Sequence, residues 1–440
     1  MKPDLAGFAS GLAGFIGVIC VLGSNFTPVT QPVAASAFAA VILMRFSHLG
    51  FLAKALLILL CLTVIGSLAL GQPIETNLSS TLFVFGFILA AGSLRSLASR
   101  DPFLRSFALS LFTKGRIRRF LALSLGTSML ALLLLVGAVQ FSAGVIASQE
   151  AVSTKLRVDA ARAILAGFVV NPIVSPVAIP AVVVSSTWQS FNWSSSAVWL
   201  FLAGVLIWAC GFFSSAMTTS EPTPTTSRPQ SVSASARVPL GLVTFFASLI
   251  AVICVALFAG VSLTLFALCL IVLLSFFWPI ARKWTTRSAL EGYASGINEA
   301  TVVGGSVALG TLYAGLLPNE YILQLASVIF SFGPLLPGIV ILAFVVGGNL
   351  GLQPPVCFLL MLPGLQGYTE MTEVSPVLFA SVIVGWALNS VVAPFSVPVL
   401  IASKAASVSP FQFAWRHNVS FLLISTVSVS ILLSIVGYKS

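Results

Sequence analysis

Two short segments of the chain place polar side chains and prolines inside otherwise apolar sequence. The first is Gly167–Ser185, GFVVNPIVSPVAIPAVVVS, and the second is Gly385–Ser403, GWALNSVVAPFSVPVLIAS. They align without a gap, because Asn389 follows Asn171 by 218 residues, and six of the nineteen aligned positions are identical. Matching valines mean little in this chain, but an asparagine and two prolines at the same spacing indicate an internal duplication.

The prolines determine what chemistry these segments can do. A proline has no N–H to donate and blocks the carbonyl four residues before it, so Pro176 and Pro180 predict a broken helix in the first segment. Pro394 and Pro398 predict the same break in the second. In lipid, freed backbone groups are tolerated only inside protein or beside a water-filled cavity. Helix ends exposed at such a place can hold ions and anionic solute groups, as they do in secondary transporters.

The candidate substrate- and ion-binding residues are the polar and proline residues of the two segments, together with a polar pair between them in the chain. They are Asn171, Pro172, Ser175, Pro176, Asn389, Ser390, Pro394, Ser396, Asn298 and Glu299. Glu299 is included because a carboxyl inside an apolar span is costly in lipid and marks a proton carrier, a cation ligand or the partner of a cation. The alternative is that its span begins later and leaves Glu299 at the cytoplasmic interface beside Glu291.

The composition decides where such segments must lie. Of the 440 residues, 58% are hydrophobic and only 7% are charged, whereas a soluble domain carries about 25% charged residues. Apolar stretches of about 20 residues, the length that crosses a bilayer, recur along the chain, and barrel strands would be about half as long. The sequence therefore predicts an all-α polytopic membrane protein. We attribute the net charge of +10 to cationic loops, which orient the spans in a membrane. We therefore predict no nucleic-acid partner.

Apolar stretches of spanning length divide into two groups around a polar centre. A Ser/Thr/Pro-rich linker, 216–238, separates an N-terminal transmembrane repeat, 1–215, from a C-terminal one, 239–440. An odd number of crossings in each half would make the two repeats inverted. The basic segment Arg95–Arg119 is expected on the cytoplasmic side of the inner (plasma) membrane. The predicted spans are 7–23, 29–45, 50–71, 80–94, 120–146, 197–215, 239–259, 261–279, 291–317, 321–347, 376–402 and 418–437, with 163–187 and 354–366 counted apart because prolines interrupt them.

No enzyme or metal signature competes with this interpretation. The six cysteines lie in apolar segments without a CxxC pair or a Cys/His cluster, so neither a metal site nor a disulfide framework is predicted. The chain contains no P-loop, HExxH or GxSxG motif, and we predict no catalytic residue and no cofactor beyond a coupling ion. A polar stretch before the first break predicts an amphipathic helix at the membrane interface, with its charges solvated or near headgroups. Its charged residues are Lys155, Arg157, Asp159 and Arg162.

The end of the chain resembles a known family. Within Leu350–Leu423, LGLQPPVCFLLML is followed by NSVVAPFSVPVLIASKAASVSPFQFAWRHNVSFLL. This order resembles the C-terminal region of the ion-transporter superfamily, which includes TRAP transporter large subunits and divalent-anion/sodium symporters. In those families a proline-rich loop of small residues precedes a short arm and a last helix. Here the loop would be Asn389–Pro398, the arm Ser403–Asn418, and the first-half loop Asn171–Pro180.

The resemblance implies an inverted-repeat carrier with re-entrant hairpins and an elevator-like motion. It also implies that Asn171, Ser175, Asn389 and Ser396 lie at the ion and substrate sites. We therefore expect a secondary active transporter that moves a small anionic organic solute across the inner membrane, coupled to Na⁺ or H⁺. The alternative is the permease subunit of a larger, binding-protein-dependent (TRAP-like) complex. The solute and membrane lipid are the expected partners, and a homodimer or a small membrane subunit is left open.

Overall fold

The part of the protein that the structure describes is almost entirely helical. About 91% of the computed structural model is helical and the described residues contain no strand, which confirms the predicted all-α membrane class. The linker from residue 217 onward and the predicted span 239–259 lie outside the described residues. The described residues are 5–24, 30–69, 78–100, 116–134, 136–147, 153–176, 178–188, 193–216, 263–281, 286–316, 318–371 and 375–437.

The first half consists of ten described helices, several of them shorter than a span. The predicted span 120–146 forms two helices, α5 and α6, and the proline-interrupted stretch 163–187 forms three, α7 to α9. The helices are α1 (Leu5–Gly23), α2 (Thr30–Arg45), α3 (Phe51–Ala69), α4 (Leu78–Arg100), α5 (Arg116–Leu134), α6 (Val136–Ala147), α7 (Thr154–Phe168), α8 (Val170–Val174), α9 (Ile179–Thr187) and α10 (Trp193–Ala216).

The second half is interrupted in a similar way. The predicted span 291–317 divides at Gly296, and 321–347 divides at a 3₁₀ turn, Gly333–Leu335. By contrast, α16 continues through Pro363, so one proline does not end this helix. The helices are α11 (Leu263–Ala281), α12 (Thr286–Ser295), α13 (Ile297–Leu316), α14 (Asn319–Ser331), α15 (Leu336–Asn349), α16 (Pro354–Met371), α17 (Pro376–Val392), α18 (Val397–Ala405), α19 (Pro410–Gln412) and α20 (Val419–Gly437).

Among the described residues, five helical stretches are long and apolar enough to cross a membrane, but they differ in how deeply they are buried. In Thr154–Ser185 and Pro376–Ala405, 82% and 89% of the most apolar 18-residue window is buried within the protein. The corresponding shares are 33–39% in Ala6–Gly23, Trp193–Ser215 and Val419–Val436. The two stretches that contain the breaks therefore form the centre of the molecule, and the other three expose apolar faces that suit lipid.

Close contacts at small residues hold the central helices together. A Cβ at Gly385 would lie 2.6 Å from a ring carbon of Phe344, so α17 and α15 approach each other at that point. Beside them, Trp188 packs edge-on against Phe379, with ring centroids 4.5 Å apart. These contacts join the end of α9 to α17, and thus the first broken stretch to the second. Small residues that allow backbones to approach are the usual means of packing helices in lipid.

The arm after the second broken stretch docks on the helix that leads into the first. The Arg157 guanidinium on α7 donates to Ser407 Oγ at 3.2 Å. One expectation for α7 is wrong: Arg162 is only 5% exposed and donates to Ser214 on α10. The Ser214 Oγ atom in turn lies 2.9 Å from the Ser420 Oγ atom on α20. The Ser214 hydroxyl therefore gives the buried guanidinium one hydrogen-bond partner inside the protein.

Substitution of Gly167 tests the packing of α7. A Cβ at Gly167 would overlap the backbone carbonyl of Ser124 on α5. We expect Gly167→Ala to lower the free energy of unfolding by about 1–3 kcal/mol, because neither backbone can move without strain. Gly144→Ala on α6 is the matched control, because nothing lies within 4 Å of its Cβ. Thermal unfolding in detergent should show a lower midpoint for Gly167→Ala and no loss for Gly144→Ala. Equal midpoints would contradict this packing.

Candidate functional site

The first broken stretch has an extended connection between two short helices. Helix α8 ends at Val174, and α9 begins at Ile179. Ser175 and Ala178 both have extended backbone, with φ/ψ of −97°/120° and −75°/154°. Ser175 N donates to Asn171 O at 2.9 Å, and Ala178 N donates to Ser175 O at 3.2 Å. The chain therefore leaves one helix and starts another within a few residues, as Pro176 and Pro180 predict.

The second broken stretch repeats this geometry 218 residues later. Ala393 and Ser396 have φ/ψ of −76°/128° and −73°/144°. Ala393 N donates to Asn389 O at 3.1 Å, and Ser396 N donates to Ala393 O at 3.1 Å. The following helices, α9 and α18, each contain nine residues. Equivalent residues thus make equivalent backbone hydrogen bonds in the two breaks.

The two equivalent asparagines also share a role. Asn171 Nδ2 donates to the Ala131 carbonyl at 3.0 Å, at the end of α5. Asn389 Nδ2 donates to the Phe344 carbonyl at 2.8 Å and to the Leu352 carbonyl at 3.3 Å. Both Oδ1 atoms are buried and have no hydrogen-bond partner among the described residues. A buried acceptor without a partner costs about 1–3 kcal/mol. Of the two residues, Asn171 also lines the cavity described next, so its oxygen is a candidate for binding a ligand.

A cavity of about 110 Å³ lies between the two breaks. Its volume leaves room for several water molecules or for a small solute. The first residues of α9 and α18 line it together with the start of α13. The lining residues are Val136, Phe168, Asn171, Pro172, Ala178, Ile179, Pro180, Asn298, Glu299, Val302, Val303, Gln353, Pro354, Pro355, Trp386, Ser390, Ser396, Val397 and Pro398.

Most of the lining consists of residue pairs that are 218 positions apart. The two halves contribute matching aromatic, helix-start and proline residues to the same space. Both breaks therefore face a single cavity through equivalent positions. The pairs are Phe168 with Trp386, Pro172 with Ser390, Ala178 with Ser396, Ile179 with Val397, Pro180 with Pro398, and Val136 with Pro354.

Six of the ten candidate residues predicted from the sequence come together at the cavity. Those that line the cavity are Asn171, Pro172, Ser390, Ser396, Asn298 and Glu299. The other four lie close in the chain but are not part of the lining; they are Ser175, Pro176, Asn389 and Pro394. Asn389 instead holds the ends of α15 and the following turn through its amide. Ser175 is buried, and its hydroxyl has no partner among the described residues.

Thirteen of the nineteen lining residues are not among the sequence-derived candidates, and three of these thirteen have large or polar side chains. Phe168 and Trp386 are aligned aromatics within the repeated segments, so the alignment contained a signal for them. Gln353 precedes Pro354 at the start of α16 and donates from Nε2 to the Phe395 carbonyl at 3.2 Å. This bond connects α16 to the tip of the second break, and it depends on a tertiary contact that spacing alone does not indicate.

The chemistry of the cavity is that of an anion site with apolar walls. Pro180 and Pro398 remove one N–H group from the first turn of α9 and of α18, so each turn presents chiefly the positive end of its helix dipole. Ser396 Oγ caps α18 by accepting from Val399 N at 3.3 Å, whereas Ala178, at the equivalent position, has no side-chain acceptor. Most of the remaining wall is aliphatic, aromatic or proline. Such a site suits a small organic molecule that carries one negative group.

Outside the cavity, the arm carries a histidine whose environment favours the neutral form. Burial lowers the pKa of His417, and the positive charges of Arg416 and Arg162 lower it further, while Asp159 opposes them. The pKa of His417 in the folded protein lies below the usual 6.5. The contribution of neutral His417 to folding stability is therefore present above that pH and is lost as the pH falls. We expect thermal unfolding midpoints to drop between about pH 7 and pH 5, and His417→Gln to reduce that drop. An unchanged pH profile in the variant would contradict this assignment.

The role of Asn389 as a structural tie is also testable. Removal of its amide in Asn389→Ala leaves the Phe344 and Leu352 carbonyls without this donor, and we expect a loss of about 1–3 kcal/mol in stability. Ser381→Ala on the same helix is the control, because Ser381 Oγ bonds only to the Val377 carbonyl of its own helix. Thermal unfolding in detergent compares the two variants. Equal midpoints would show that the Asn389 amide does not stabilise the end of α15.

Comparison with known proteins assigns no family to the chain. No family model matches the sequence, and a search of curated proteins finds no match. The resemblance to the ion-transporter superfamily therefore stays a prediction from the motif pattern. The function is inferred below from the cavity and the residues that form it.

Proposed function

We propose that the protein is a secondary active transporter of the inner membrane, made of two inverted repeats, that moves a small anionic organic solute coupled to Na⁺ or H⁺. The observation that carries this proposal is that both breaks open onto one cavity through equivalent residues. Secondary carriers commonly bind their substrate where the ends of half-helices meet at a central site. Two repeats that face the same cavity from opposite sides are the arrangement expected for an inverted duplication.

The solute class follows from the groups in the lining. Two helix N-termini attract a negative group, and the partnerless Asn171 Oδ1 can accept a hydrogen bond from a solute hydroxyl or ligate a cation. Phe168 and Trp386 provide flat apolar surface for the rest of the molecule. No Lys or Arg is among the described lining residues. These features favour a compact monoanion with an apolar body over a polyanion.

Replacement of Asn171 tests the site. We expect Asn171→Leu to abolish uptake into proteoliposomes in a panel of labelled lactate, pyruvate, benzoate and succinate, because it removes the unpaired acceptor and fills part of the cavity. Asn418→Leu is a matched control: Asn418 is equally buried and donates to the Val391 carbonyl at 3.0 Å, but it does not line the cavity. Both variants lose one buried hydrogen bond, so a general packing defect would affect both.

The expected outcome is that Asn418→Leu retains uptake while Asn171→Leu, inserted and folded to the same extent, does not. Normal uptake by Asn171→Leu would remove this residue from the site. Absence of saturable, gradient-driven uptake by the wild-type protein, with every solute in the panel, would count against the carrier function itself. Flux that neither saturates nor follows an imposed ion gradient would indicate a channel.

A further inference from the structure

The starts of α9 and α18 differ at the residue that caps each helix. On α18, Ser396 Oγ accepts from Val399 N at 3.3 Å and so caps the first turn. The equivalent residue on α9 is Ala178, which offers no side-chain acceptor to the N–H of Ala181. Ala178 also lines the cavity. An oxygen supplied by a solute can therefore take, beside the Ala178 methyl group, the place that Ser396 Oγ has on α18.

A carboxylate is the oxygen group that this helix end favours. Helix α9 has nine residues, so the dipoles of its peptide units give its first turn a partial positive charge. No Lys or Arg is among the described lining residues, and no such side chain competes with the helix end for an anion there. On α18 the hydroxyl of Ser396 already fills the capping position. The negative group of a solute is therefore expected at α9 rather than at α18.

A second group in the lining requires a donor. Asn171 is only 2% exposed and lines the cavity, and its Oδ1 has no hydrogen-bond partner among the described residues. Its Nδ2 donates to the Ala131 carbonyl at 3.0 Å. This bond fixes the orientation of the amide, because the opposite orientation would set two oxygens against each other. The atom left over is an acceptor, and it needs an O–H or N–H group from a ligand.

The other polar side chains of the lining are engaged within the protein. Asn298 Oδ1 accepts from the backbone N–H of Gly50 at 2.8 Å, and Ser390 Oγ donates to a carbonyl of its own helix at 3.0 Å. Glu299 also has an interaction within the protein. Among the described lining residues, Asn171 Oδ1 is thus the one buried side-chain atom without a hydrogen-bond partner.

The helix end and the amide oxygen require different groups on the same solute. An acceptor such as Asn171 Oδ1 repels a carboxylate or a ketone oxygen, whereas the positive end of α9 attracts the carboxylate. A hydroxyl brings one donor to this one acceptor. An ammonium brings three donors and a charge, which a single neutral amide does not satisfy. A small molecule with a hydroxyl close to its carboxylate therefore suits a cavity of about 110 Å³.

We infer that the solute is a short hydroxy acid with a single carboxylate. The carboxylate binds at the start of α9 beside Ala178, and the hydroxyl donates to Asn171 Oδ1. The rest of the molecule packs against Phe168 and Trp386, the aromatic residues of the lining. This inference rests on the proposed transport function and names the solute class of the same cavity. Ala178 leaves the helix end open to the carboxylate, and Asn171 selects the hydroxyl.

Binding is measured by isothermal titration calorimetry on the purified full chain in detergent. The probes are three pairs of acids that differ by one hydroxyl: lactate and propionate, 2-hydroxyisovalerate and isovalerate, and mandelate and phenylacetate. Pyruvate replaces the hydroxyl of lactate by a ketone oxygen, alanine replaces it by an ammonium, and lactamide replaces the carboxylate by a neutral amide. Uptake and exchange of labelled lactate, mandelate, benzoate and succinate are measured in parallel in proteoliposomes.

We expect the wild-type protein to bind the hydroxy acid of at least one pair about tenfold or more tightly than its partner, because an unpaired buried acceptor is costly. Pyruvate, alanine and lactamide should bind more weakly than lactate. A preference below tenfold in every pair would overturn the inference. Tighter binding of pyruvate, alanine or lactamide than of lactate would also overturn it, and a preference for alanine would indicate an amino-acid site.

Two variants separate the roles of the helix end and the amide. Asn171→Ala should lose the preference for the hydroxyl and retain its affinity for the acid without it. Ala178→Ser gives α9 a cap of its own, as Ser396 does on α18, and should weaken both acids of a pair by about tenfold without changing their ratio. The matched controls are Asn418→Ala and Ala203→Ser, at buried positions outside the lining, and both should bind as the wild type does.

An unchanged preference in Asn171→Ala, or unchanged affinities in Ala178→Ser, would overturn the assignment. If either variant fails to fold, the wild-type series decides alone. Uptake of benzoate or succinate without binding of any hydroxy acid overturns the inference and leaves transport intact. Binding of a hydroxy acid without saturable uptake or exchange supports the ligand assignment and counts against the transport function. If no probe is bound or taken up, both fail.

Discussion

The structure depends on one constraint: backbone groups released by a broken helix cannot face lipid. Each broken stretch contains two prolines four residues apart, and each is buried at the centre of the molecule. Because lipid offers no hydrogen bonds, such a break must be enclosed by other helices or lie beside polar space. The described helices supply that enclosure. The cavity lies at the point where the two breaks meet, and residues of both interrupted stretches line it.

The matching halves of the site form a symmetric frame with different side chains. The backbone bonds of the two breaks agree to within 0.2 Å between equivalent atoms. The side chains differ, however: Ser396 caps α18 where α9 has Ala178, and Trp386 stands opposite Phe168. The third wall, from α13, brings the carboxyl of Glu299 to one side only. The two breaks therefore share a backbone geometry but present unequal side chains to the cavity.

The sequence predicted the breaks but not all of the surroundings. Proline chemistry is local, so Pro176 and Pro394 indicated where the helices end without knowledge of the fold. The burial of Arg162 was missed because it depends on a hydroxyl that α10 brings to it, that of Ser214. Likewise, spacing could not decide whether Glu299 faces an interface or a cavity, since that depends on how α13 packs. Asn389 was a sound candidate by alignment, yet its amide contacts α15 rather than the lining.

The claim that both breaks border one water-accessible space is tested most directly by thiol labelling in membranes. In a cysteine-free background, Ala178→Cys and Ser390→Cys place one thiol in the lining from each half, and Val198→Cys places one on the exposed apolar face of α10. We expect a charged, water-soluble methanethiosulfonate to modify the first two thiols and to leave the third unmodified. If Ala178→Cys and Ser390→Cys both resist the reagent while Val198→Cys reacts, the two breaks do not share an aqueous cavity.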